Sequence, residues 1–296
     1  MRRAALLALL LVLAGCTGGS PGSGGPTTTT TARSTTRATT TTRATSTPMP
    51  TTTVPPTNDT VGRLAPGLTR AGIVNASALV RAHVAALNRS GYASSLALSS
   101  SISPEGTDAA VVSNATTTVV ASPGWERYRL RVESVTGDGN DSQRQRQERW
   151  SNGTVRLLRV SAGNRTAYER LGPVPPGGET EQLLRLTNRL TLRTYLALGN
   201  YTVVGTNRSG GQTRYTLRAD GATVPNVTSF HATAVVDEAG RVHRLNATLV
   251  ADGGESGGGT GHQRTTIRYR LERTGVETVQ RPAWADQALA ATNSTG

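Results

Sequence analysis

The chain has 296 residues, 32 basic against 19 acidic side chains (+13), and only 35% of it is apolar. A single Cys excludes an intrachain disulfide and a four-cysteine metal site, and four His leave little for metal or general-base chemistry. No apolar run reaches the roughly 18 residues of a membrane-spanning helix.

The first residues read MRRAALLALLLVLAGC. Arg2 and Arg3 give a positive start, Ala4–Leu13 a short apolar core, and Ala14-Gly15 a small-residue exit, as in an export signal. Leu13-Ala14-Gly15-Cys16 resembles a prokaryotic lipobox. Residues 1–15 are therefore expected to be a lipoprotein signal peptide, with Cys16 as the lipidated anchor. A two-chain lipid holds a protein stably on a membrane, where one chain does not. Arg2-Arg3 also fits a twin-arginine signal, so the export route stays open. The expected location is the extracytoplasmic face of the cell membrane.

Residues 16–60 read as a stalk. Between 27 and 57, 19 of 31 residues are Ser or Thr, interrupted by Pro48, Pro50, Pro55 and Pro56. Such composition cannot bury enough apolar surface to offset its ordering entropy, and it matches mucin-like tethers.

Of 13 Asn, 12 stand in N-x-S/T: Asn58, Asn75, Asn88, Asn114, Asn140, Asn152, Asn164, Asn200, Asn207, Asn226, Asn246 and Asn293. Asn188 alone misses, whereas composition would give about three by chance. The excess points to N-glycosylation of an exported chain.

A folded domain is expected over 61–288, with 289–296 as a disordered tail. Asn75 can cap a helix over 76–88, with Leu79, Val80, His83 and Leu87 on one face and Gly91 beyond its end. A second helix is expected from Glu179 to about Ala197, Leu-rich and acidic in its first turn. Most of the rest alternates with period two. Tyr128, Leu130 and Val132 oppose Arg127, Arg129 and Arg131; Tyr215 and Leu217 oppose Arg214 and Arg218; Ile267, Tyr269 and Leu271 oppose Arg264, Arg268 and Arg270. The turn at Asp237–Gly240 predicts a hairpin that pairs Val236 with Arg241. That register puts Phe230, Ala232 and Ala234 on the face of Leu245, Ala247 and Leu249, and separates His231 from His243. The fold class is α+β: a curved antiparallel half-barrel of about 8–11 strands, with an N-terminal and a mid-chain helix on one face.

The lipobox, the Thr/Pro stalk, the hairpin ATAVVDEAGRVHRLNATL at 232–249 and the closing Arg281-Pro282-Ala283-Trp284-Ala285 together resemble a family of haloarchaeal surface lipoproteins. The resemblance covers roughly residues 71–288 and brings no catalytic residues. It implies a half-barrel like that of lipoprotein carriers of the LolA and LppX type, whose apolar concavity admits acyl chains.

No catalytic constellation emerges. Gly254-Glu255-Ser256-Gly257-Gly258 matches G-x-S-x-G, but between two strands rather than at the strand-to-helix elbow a nucleophile needs. No Lys exists for a phosphate loop, and no nucleic-acid module is visible. No enzyme activity, cofactor, metal or nucleic-acid partner is expected.

The expected function is non-enzymatic binding of an apolar or amphiphilic ligand. Tyr128, Leu130, Val132, Tyr215, Leu217, Phe230, Leu245, Ile267, Tyr269 and Leu271 would line the cavity, or else form a closed core. The alternative is an envelope interaction module. Arg127, Arg129, Arg131, Arg214, Arg218, Arg264, Arg268 and Arg270 would then hold acidic surface glycoproteins or polymers, or else form a solvated face. An extracellular hydrolase is a third possibility and needs a polar cluster in a cleft.

Overall fold

The computed structural model describes residues 62–104, 110–137, 141–173, 179–225, 227–252 and 261–293. The expected signal peptide and stalk, Cys16, Asn58, Asn140, Asn226 and the Gly254–Gly258 motif lie outside them.

The chain opens with three short antiparallel strands, β1 (Arg63–Ala65), β2 (Leu68–Thr69) and β3 (Gly72–Ile73). Helix α1 (Ala76–Ser90) follows, and Asn75 caps it as expected, its Oδ1 accepting from the Ala78 amide at 2.8 Å. Gly91 ends α1 at φ 61°, where a Cβ would stand 2.1 Å from the Val276 carbonyl oxygen, so only glycine fits.

Eleven strands then build one antiparallel sheet: β4 (Tyr92–Pro104), β5 (Val111–Ala121), β6 (Arg127–Gly137), β7 (Ser142–Asn152), β8 (Arg156–Ala162), β9 (Arg165–Leu171), β10 (Thr202–Ser209), β11 (Gln212–Asp220), β12 (Val227–Asp237), β13 (Val242–Asp252) and β14 (Gly261–Thr274). Their order is β10-β11-β12-β13-β14-β4-β5-β6-β7-β8-β9. The end strands β10 and β9 do not pair with each other, so the sheet is curved but open, the expected half-barrel.

Between β9 and β10 the single helix expected over 179–197 is two: α2 (Glu179–Thr187) and α3 (Arg189–Leu198). The break is Asn188, buried and at φ 51°, a left-handed conformation that Asn tolerates but a helix does not. Helices α1, α2 and α3 cover one face, here the inner face. Leu79, Leu87, Leu186, Leu192 and Leu196 pack there with Tyr92, Leu217, Phe230, Leu245 and Ile267 in one core. Burying a leucine of this kind contributes on the order of 2–3 kcal/mol.

The β12–β13 hairpin keeps its expected faces, with Phe230, Ala232 and Ala234 opposite Leu249, Ala247 and Leu245. At its turn end the register slips: Val236 pairs with Val242, not Arg241, and the ladder is irregular there. His243 is the extra residue.

A fourth helix, α4 (Ala285–Asn293), continues through the stretch expected to be a tail from 289. It packs on the opposite, outer face, where Trp284, Ala285 and Ala288 meet Trp150 and Leu157 in a second, smaller core. The Tyr168 and Trp284 rings stack at 6.3 Å, and the Arg281 guanidinium sits 5.9 Å from the Trp150 ring. The closing Arg281–Ala285 motif thus clasps β7, β8 and β9 from outside.

Candidate functional site

The ten residues expected to line a cavity do share the inner face. Nine are buried, Val132 is half-buried, and together with the helices they form the packed core. His83, Tyr269 and Tyr92 find polar partners inside this core. The Val242 amide donates to His83 Nδ1 at 3.1 Å, which leaves the ring proton on Nε2, 3.1 Å from the Tyr269 hydroxyl. Burial lowers the His83 pKa to about 3, with His243 contributing. The Tyr92 hydroxyl donates to the Leu186 carbonyl at 2.6 Å and ties α2 to the sheet; burial raises its pKa.

Farther along the strands the inner face changes character. Leu98, Val132 and Leu249 are half-buried at the margin of the core. The rows beyond Leu98 and Val132 carry hydroxyls: Ser100 lies 3.4 Å from Thr265, Ser113 lies 3.3 Å from Thr136, and Gln263 donates to Ser100 at 3.2 Å. An apolar floor therefore runs into a band of hydroxyls, with Gln263, Ile102 and Val111 in the row beyond it.

The outer face carries two arginine-rich regions of different construction. On β6–β8, Glu148 has no exposed side-chain surface and receives Arg146 at 2.9 Å and Arg129 at 3.1 Å, with Arg159 at 3.6 Å. Glu133 pairs with Arg131 and lies 3.6 Å from Arg146. Burial raises the Glu148 carboxyl, but the hydrogen bonds from Arg146 and Arg129 outweigh it and hold the group below the ordinary range. Two arginines expected to offer a free basic face, Arg129 and Arg131, are therefore internally paired.

The second region is a groove of about 530 Å³ across β10 to β14, lined by Arg214, Arg241, Arg244, Arg270, Arg273 and Glu272 among others. Asp237, 3% exposed, stands beside it at the β12–β13 turn. Its Oδ1 accepts from the Arg241 amide at 2.9 Å; its Oδ2 takes the Arg241 guanidinium at 3.2 Å and His243 Nε2 at 3.0 Å. Burial raises the Asp237 carboxyl, but hydrogen bonds from His243 and the Arg241 amide prevail and lower it.

Eight sequon asparagines, Asn75, Asn88, Asn114, Asn152, Asn164, Asn200, Asn207 and Asn246, are exposed. Asn188, outside any sequon, is buried. Asn293 ends α4.

No family model matches the chain, and no curated protein matches it in sequence. Among solved structures it is similar to LprF from Mycobacterium bovis, at 10% identity and a TM-score of 0.33, over 70% of this chain and 96% of that one. It is also similar to a DUF1329 family protein from Desulfovibrio piger, at 11% identity and a TM-score of 0.25, over 67% of this chain and 92% of that one.

Period-two patterning placed Arg214 and Arg270 on the wet face but did not find Arg241, Arg244, Arg273 or His243. The one available signal was the Asp237–Gly240 turn: it marks where β12 and β13 meet, and so which outward side chains crowd together. Among the described residues no group of three or more His, Cys, Asp and Glu is placed to hold a metal ion.

Proposed function

We propose that this chain is an exported surface protein, tethered through lipid on Cys16, whose inner sheet face binds an amphiphile. The carrying observation is the polarity sequence on that face. Half-buried Leu98 and Val132 border the core, and Thr265, Ser100, Ser113 and Thr136 follow them as a row of hydroxyls that ends on Leu249. An acyl chain would extend the apolar core between helices and sheet, and its polar end would meet the hydroxyl rows. Residues 16–60 would act as the spacer above the membrane. Export also accounts for the asparagines, since glycans need surface and, among the asparagines whose exposure is described, the one without an acceptor pattern is the one buried.

Native mass spectrometry of the full chain, extracted from membranes in mild detergent, is expected to show an added amphiphile mass. Val132→Arg, at a half-buried position, should weaken its retention roughly tenfold while the fold persists. An unaltered chain with no bound amphiphile and no affinity for a hydrophobic dye would overturn the proposal.

A further inference from the structure

The outer groove across β10–β14 is built unlike the rest of the basic surface. Among the described residues no carboxylate lies within ion-pair distance of Arg214, Arg244, Arg270 or Arg273. The nearby buried acid, Asp237, is committed on both oxygens to Arg241 and His243. Glu272, the one acidic side chain in the lining, accepts from Ser95 at 2.7 Å. Four arginines thus converge on one concavity with a single carboxylate among them.

Two of these arginines are placed against their own electrostatic interest. Arg244 and Arg270 are direct cross-strand partners on β13 and β14. Like charges so placed destabilise a sheet. Elsewhere on this face the chain solves the same problem with Glu148 and Glu133; here it does not. The groove volume lies in the range of small-molecule sites, and guanidinium groups match tetrahedral oxyanions through paired N–H donors.

We propose that this groove is a binding site for a polyvalent oxyanion, a phosphate- or sulfate-bearing group, held by Arg214, Arg244, Arg270 and Arg273. Asp237 fixes Arg241 and His243 at the rim, so the site is partly organised before the anion arrives. The site lies on the face opposite the amphiphile-binding surface and does not depend on it.

Isothermal titration calorimetry of the full chain in detergent tests this with two probes, inorganic pyrophosphate and low-mass dextran sulfate. Saturable binding of either supports the site, and the stronger binder identifies the phosphate or the sulfated-sugar source. Arg270→Ser and Arg214→Ser should each weaken binding roughly tenfold or more, the loss of one charge-assisted contact. Thr216→Glu, which places a carboxylate in the groove, should abolish it. Arg131→Ser, in the paired region, is the control and should leave affinity unchanged. Failure of both probes to bind, or equal loss in Arg131→Ser, would overturn the assignment.

Discussion

The outer face holds two arginine clusters a few strands apart, and they obey opposite rules. On β6–β8, Arg129, Arg146 and Arg159 surround a carboxylate with no solvent exposure, and Arg131 pairs with Glu133 beside them. On β10–β14 the arginines that line the concavity, apart from Arg241, have no carboxylate partner among the described residues. The first arrangement uses charge to hold strands together: a buried Glu148 without its guanidinium neighbours would cost several kcal/mol. The second tolerates repulsion inside the folded chain. Basic composition alone therefore says little about function; the placement of the few acids decides which arginines are free to meet an anion.

Acid should separate the two regions most strongly. Beneath the groove, His83 accepts the Val242 amide and so pins the start of β13 to α1. The groups around it are Tyr269, His243, Asp237 and Arg241. Its folded pKa is about 3, against about 6.5 unfolded. Between those values the unfolded chain binds the extra proton, so stability falls as pH drops below 6.5. The expected slope is about 1.4 kcal/mol per pH unit. Glu148, held below the ordinary carboxylate range, stays charged through the upper part of that window. Denaturant unfolding from pH 7 to 4 should show the slope, and hydrogen exchange should place the first opening in β12 and β13 rather than β7. His83→Gln should flatten the slope; an unchanged slope would remove His83 from the account.

Next in size is the paired region. Glu148→Gln removes the charge that three arginines share and should cost about 2 kcal/mol, below the usual figure for a broken buried pair because the guanidinium groups are about a third exposed. The midpoint of urea unfolding measures it. A loss near zero would mean that the Glu148 cluster is no more structural than the groove.

How much of this was legible depended on whether the signal was local. Strand faces were, because alternation is written into Tyr128–Val132, Tyr215–Leu217 and Ile267–Leu271, and the sheet keeps those faces. The break at Asn188 was not, because leucines continue at helical spacing on both sides of it. The bulge at His243 left no mark in the hydrophobic pattern, so the expected hairpin pairing missed by one residue at the turn and by two along most of the rest of the ladder. Helix α4 escaped because its partners Trp150, Leu157 and Tyr168 sit on the wet side of strands that otherwise carry polar groups there. Glu148 stands in the run Gln143–Arg149, which reads as a solvated edge; only strand order brings Arg129 and Arg159 onto it. The groove was hidden for the same reason, since β11 and β14 approach through two intervening strands.

The smallest expected effect is the most discriminating. If the groove is kept for an anion, its arginines cost stability rather than supply it. Arg244→Thr relieves the cross-strand repulsion with Arg270 and adds a strand-favouring residue. It should leave the protein as stable as before or more stable by about 0.5 kcal/mol, read as a raised urea midpoint. Addition of pyrophosphate should reverse the order, because a ligand that binds only the folded state stabilises the chain with the complete groove more. A clear loss of stability in Arg244→Thr without any anion would instead make this arginine a structural element, and would erase the distinction between the two halves of the outer face.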